Sequence, residues 1–100
     1  MGKWMLHSTE WHEKDGADED GDTDDMTATG SYLDFRNDGK LYMYMDGGYD
    51  TVTYNAKDNE NLIIDGETIK MSKLSEKELD LYFKETDTDY LYEMWYHFKK

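Results

Sequence analysis

Hydrophobic and polar residues alternate one by one along most of this chain. Segment 31–36 puts Leu33 and Phe35 on one face, with Tyr32, Asp34 and Arg36 on the other. Segment 40–45 sets Leu41, Met43 and Met45 against Tyr42 and Tyr44, and segment 49–55 sets Val52 and Tyr54 against Thr51 and Thr53. Segments 60–65 and 67–73 continue with Leu62, Ile64, Ile69 and Met71. Segment 78–85 points Leu79, Leu81 and Phe83 one way and Asp80, Tyr82 and Lys84 the other; segment 90–98 offers Tyr92, Met94, Tyr96 and Phe98. A period of two means a strand with one buried and one wet face.

The residues between these runs are turn formers. Asn37-Asp38-Gly39, Asp46-Gly47-Gly48, Lys57-Asp58-Asn59 and Asp65-Gly66 supply positions that tolerate positive φ in tight hairpins. Ser75 and Glu78 form a capping-box pattern, which predicts one helical turn between two strands. With segment 3–12 in front, the pattern predicts eight consecutive antiparallel strands and leaves no room for a long helix or a parallel crossover. So high a strand content is unusual in an open sheet and normal in a closed up-and-down barrel, where connections are tiny and no edge is exposed. The expected fold is all-β: a single up-and-down antiparallel eight-stranded barrel spanning 1–100.

Charge divides the chain. Asp15, Asp18, Glu19, Asp20, Asp22, Asp24 and Asp25 fall within eleven residues that hold no base, and the formal net charge of the whole is −13. The segment 13–29 therefore reads as a solvated, self-repelling acidic loop. The overall charge also excludes a general nucleic-acid binder, which needs a basic stripe to displace counterions. No Cys is present, so disulfides, thiolate metal sites and a Cys nucleophile are excluded. No apolar run has the length of a transmembrane helix. Aromatics make up 15% of the residues, which points to a packed core rather than a disordered chain.

Gly2-Lys3-Trp4 resembles the G-x-W signature that opens lipocalin barrels. The runs from Tyr32 to Tyr42, from Leu62 to Lys70 and from Leu74 to Leu81 are similar to small exported bacterial lipocalin-like domains, and Thr88-Asp89-Tyr90 resembles a second lipocalin signature. The resemblance implies a lipocalin-like barrel that binds a small apolar ligand without catalysis, with Trp4 plugging its closed end. The basic residue that such proteins stack on this Trp would be Lys99 or Lys100. It also implies export to the periplasm or cell surface after removal of a signal segment, and a position for the acidic loop near one end as a lid.

An eight-stranded barrel is just wide enough to be filled by side chains or to hold one small ligand. The candidate pocket comprises Leu33, Phe35, Met43, Met45, Tyr54, Met71, Leu81, Phe83, Met94 and Tyr96. Its methionines suit an adaptable cavity, although methionines at alternating strand positions, in so short a chain, more often belong to a packed core. On the core reading Phe83 is expected to matter greatly for stability and its neighbour Lys84 very little. Trp11, seven residues after Trp4, faces the opposite side of a regular strand unless a bulge intervenes. The outward aromatics Tyr32, Tyr42, Tyr44 and Trp95 are either cross-strand pairs that stabilise the sheet or a patch for a protein or glycan partner. That patch, with the acidic loop, carries the alternative reading: an interaction module with a filled core.

Candidate chemistry is sparse. Glu10 and His12 share a strand face, and barrel closure would bring the last strand, with His97, beside them. No G-x-S-x-G, P-loop or H-E-x-x-H motif occurs, and no cofactor is called for. Asp18, Asp20, Asp22 and Asp24 alternate as calcium ligands do. Both EF-hand registers fail, with Thr23 or Asp25 where Gly is required and Thr29 or Ser31 where Glu is required. The expectation is a non-enzymatic protein with no dedicated metal site.

Overall fold

The computed structural model describes residues 2–45 and 47–100, so Asp46 of the Asp46-Gly47-Gly48 turn lies outside the described residues. The elements are β1 (Gly2–Asp15), β2 (Asp18–Asp25), a 3-10 turn (Thr27–Thr29), β3 (Tyr32–Phe35), β4 (Lys40–Met45), β5 (Gly48–Ala56), β6 (Asn61–Ile64), β7 (Glu67–Leu74), β8 (Glu78–Asp87) and β9 (Tyr90–Lys99). Neighbours from β3 to β9 pair antiparallel in sequence order. β1 closes the ring by pairing with β3 through Gly2–Met5 on one side and with β9 through Met5–Asp15 on the other. The eight strands of the closed barrel are the eight that the alternation predicts. No helix among the described residues is long and apolar enough to cross a membrane.

The ninth strand is the correction. The acidic segment 13–29 is not a loop through most of its length: residues 13–15 end β1, and Asp18–Asp25 form β2, which pairs with β1 from Ser8↔Asp25 to Asp15↔Asp18. β1 makes this possible by outrunning β3, which leaves its second half with a free edge. Gly16, at φ 60, makes the tight turn between them. β8 and β9 also run on past the last β7 partner, Lys70↔Tyr82. Together β2, β1, β9 and β8 form a four-stranded arm beyond the barrel rim, and the molecule measures 46 × 30 × 26 Å.

A register shift between Leu6 and Ser8 puts a bulge in β1 where barrel becomes arm. It decides which way the rest of the strand faces. Trp4 and Leu6 point inward before it, and Thr9 and Trp11 point to that same side after it. The chain returning from β2 is stitched on at this point, with the Met26 N–H donating to the His7 carbonyl and the Leu6 N–H to the Ser31 carbonyl.

The packed core fills the end of the barrel that holds Trp4. Phe35, Phe98, Leu41, Leu62 and Leu79 are fully buried there, with Trp4, Leu6, Leu33, Met71 and Leu81 around them. Lys100, rather than Lys99, lays its ammonium over the Trp4 ring at 4.8 Å from the centroid. Among the described residues the Trp4 indole N–H has no hydrogen-bond partner. The expected helical turn at Leu74–Glu78 is a tight turn without helix: the Ser75 hydroxyl oxygen accepts from the Glu78 and Lys77 N–H groups, and Lys73 and Glu78 pair across it. In the β5–β6 turn the Asp58 carboxylate accepts the Glu60 and Asn61 N–H groups, which holds its pKa below the ordinary value.

Candidate functional site

The far end of the barrel is not filled. Leu33, Met43, Met45, Ile64, Ile69, Leu81, Phe83, Tyr96 and Phe98 line an apolar cavity of about 190 Å³ that opens at the rim. β3 and β6 are short and β7 pairs with β8 only as far as Lys70, so inward side chains of β8 and β9 beyond that level find no opposing layer. A second cavity of about 270 Å³ adjoins it and shares Met45 and Tyr96. Its other walls are Leu6, Thr9, Met26, Thr29, Ser31, Gly47 and Met94, so it is bounded partly by the 3-10 turn. Of the acidic segment, Met26 and Thr29 alone line either cavity.

The expected pocket residues divide between the two ends. Leu33, Met43, Met45, Leu81, Phe83 and Tyr96 line the apolar cavity, and Met94 lines the second. Phe35 and Met71 do not line either; they belong to the packed core. Tyr54 also leaves the pocket: its hydroxyl donates to the Arg36 carbonyl at 2.6 Å and its ring meets Phe35 edge-on. Phe83 is at the rim and 38% exposed, so it is not the core residue the alternation suggests. Ile64, Ile69 and Phe98 carried the inward pattern and could have been chosen on it. Thr9 and Ser31 gave no such signal, because a hydroxyl on an inward position reads as a break in the pattern.

Closure of the barrel assembles two imidazole–carboxylate clusters on the outer face, one at the barrel wall and one on the arm. His97 Nδ1 lies 2.8 Å from Asp80 Oδ1, and its Nε2 lies 3.6 Å from Glu10 Oε1. His12 is not part of that group; it pairs instead with Glu93 at 3.5 Å and Glu19 at 4.0 Å. Ser8 sits directly across from His97, yet the second imidazole nitrogen faces Glu10 and the Ser8 hydroxyl makes no hydrogen bond among the described residues. Each imidazole thus faces carboxylates rather than the Ser8 hydroxyl. Among the described residues no three His, Asp or Glu side chains converge as a metal-ligand set.

Beside these clusters Tyr82 donates to Glu93 Oε2 at 2.5 Å and packs on Trp95 at 5.3 Å between centroids. The bond to Glu93, with burial as the second cause, pushes the phenol pKa up to about 12. Because the folded value lies above the unfolded one of about 10, the contribution of this bond to stability is complete below about pH 10 and is lost as pH climbs through the raised value. In an ultraviolet titration of the folded protein, Tyr82→Phe is therefore expected to remove the latest tyrosine ionisation. An unchanged upper limb in that titration would show that the Tyr82–Glu93 bond is absent in solution.

The outer aromatics form one ladder and one separate pair. Lys3 lies over Tyr32, Tyr32 stacks on Tyr44, and Tyr44 stacks on Tyr49, which is 79% exposed. Tyr42 does not join them; it takes the Arg36 guanidinium at 4.9 Å. No protein-family model matches the chain, and no curated protein matches it in sequence.

Proposed function

We propose that this chain is a lipocalin-like binding domain that holds a small apolar ligand in the open end of its barrel, without catalysis. The observation that carries this reading is the cavity of about 190 Å³ walled by Met43, Met45, Leu81 and Phe83. A dry apolar cavity of ~150 Å³ suffices for a benzene-sized guest. Thioether and aromatic walls adapt to a guest at little cost, and a rim open to solvent gives a path of entry. Filling the barrel at the Trp4 end alone leaves the fold stable while the other end stays available.

A neutral polarity-sensitive dye is expected to bind saturably at about one per chain, with enhanced emission. Met45 borders both cavities, so Met45→Trp should fill the shared wall and abolish binding, at a stability cost of about 1–3 kcal/mol for overpacking. Circular dichroism checks that the variant remains folded. Absence of dye binding to the unmodified protein would overturn the reading. It would favour the outer ladder ending in Tyr49, a contact surface for a protein or glycan, as the working part of the molecule.

A further inference from the structure

The two cavities differ in chemistry. The first is walled by apolar side chains and Tyr96, whereas the second shares Tyr96 and adds three more hydroxyl-bearing residues, Thr9, Thr29 and Ser31. Thr29 donates to the Met26 carbonyl at 2.7 Å and also lies 2.9 Å from the Ser31 hydroxyl, so those two are engaged with each other and with the chain. Thr9 is different. It is only 2% exposed, it lines the second cavity, and its hydroxyl has no hydrogen-bond partner among the described residues. Unlike the Trp4 indole N–H, this hydroxyl is not sealed from solvent, so it stands at the cavity wall open to a guest bearing a hydrogen-bonding group.

The register shows what charge that group meets. Residues directly opposite in an antiparallel pair share a face. Thr9 is opposite Asp24, Trp11 opposite Asp22, Glu13 opposite Asp20 and Asp15 opposite Asp18. The cavity-side face of the arm thus begins at Thr9 and continues as carboxylates, joined from β8 by Glu85 and Asp87. Lys14 and Lys84 of the arm are on its other face. The barrel turns add to this bias, because those at the open end carry acids without a base. At the Trp4 end Lys40, Lys57, Lys77 and Lys100 are balanced by Asp38, Asp58, Glu60 and Glu76, whereas Asp65 and Glu67 stand at the open end with no base between them. A potential of this sign concentrates cations at the open rim and repels anions from it.

Resting on the ligand-binding reading above, we infer that the guest is a small primary amine with an apolar body. Its hydrocarbon part occupies the cavity between Met43 and Phe83, and its ammonium stands at the mouth of the polar lobe beside Thr9, where the exposed Asp24 and Asp22 share the face of β1 that carries Thr9 and Trp11 without lining the cavity themselves. An ammonium has three donors and no acceptor, and Thr9 and the two carboxylates supply acceptors. A fatty acid of the same size would present its carboxylate to a wall of carboxylates.

The test compares three probes of one shape: 2-phenylethylamine, 2-phenylethanol and phenylacetate, each displacing the neutral dye. The amine is expected to bind at least tenfold more tightly than the alcohol at low salt, with phenylacetate weakest. Asp22→Asn/Asp24→Asn should bring the amine to the affinity of the alcohol and leave the alcohol unchanged, since both residues are exposed and a fold defect would affect all three probes. Thr9→Val, which keeps the side-chain shape, should weaken the amine several-fold. Equal binding of amine and alcohol would overturn the amine assignment while the barrel reading stands. An amine preference that survives both variants would overturn it too, by showing attraction to the net charge rather than to this site. Failure of all three probes and of the dye would remove the barrel reading itself.

Discussion

Phe35→Ala is expected to destabilise the domain by about 3–5 kcal/mol, and Phe83→Ala by only about 1 kcal/mol, in chemical denaturation. Both residues point to the barrel interior, and alternation along their strands gives them equal standing. The difference is depth. Phe35 is 1% exposed, sits among Leu41, Leu62 and Phe98, and takes the Tyr54 ring edge-on at 4.9 Å. Removing it leaves a void that surrounding strands, tied by hydrogen bonds on both sides, cannot close. Phe83 stands at the rim, with Tyr96 edge-on at 5.4 Å on one side and solvent on the other. Its loss should show instead in weaker dye binding. Equal destabilisation by the two substitutions would mean that the open end is packed in solution.

This contrast also marks how far the sequence can be read. Period two reports which side of a strand a residue occupies, so all eight barrel strands and the inward set were legible from Leu33 to Phe98. It does not report how much protein stands on the far side, which is why Phe35 and Met71 were expected beside Phe83 and Met43 in one pocket. That depends on how far each strand extends, and the shortness of β3 and β6 is a property of the assembled ring. The facing of Trp11 turned on the Leu6/Ser8 bulge, where one extra residue shifts the pattern by one and no residue type announces it. β2 escapes the alternation for another reason. Asp and Gly are poor strand formers, and the segment carries no apolar alternation at all. It becomes a strand because β1 offers a free edge through a tight turn, a tertiary cause that overrides local preference.

The dependence of β2 on that edge makes it the most fragile element, and Gly21→Ala is expected to release it while the barrel stays intact. Gly21 lies opposite His12, and a Cβ built there would stand 2.8 Å from the Trp11 carbonyl oxygen. Real side chains do not approach a backbone oxygen so closely, and this oxygen belongs to β1, which is held by β9 on its other side. The strand that yields must therefore be β2. Nothing buried opposes its leaving, since every residue from Asp18 to Asp25 is exposed, and like charges at Asp15↔Asp18 and Glu13↔Asp20 already push the strands apart. Closure of the ring does not involve β2, because β1 pairs with β3 and β9 through other residues or its other edge. Hydrogen exchange should then show amides of residues 18–25 at least tenfold less protected in the variant, with those of β4, β7 and β9 unchanged. Amine binding should fall with β2, because Asp22 and Asp24 leave the rim, while the neutral dye continues to bind. Unaltered protection across 18–25 would show that the β1–β2 pairing in solution leaves room for a side chain at Gly21.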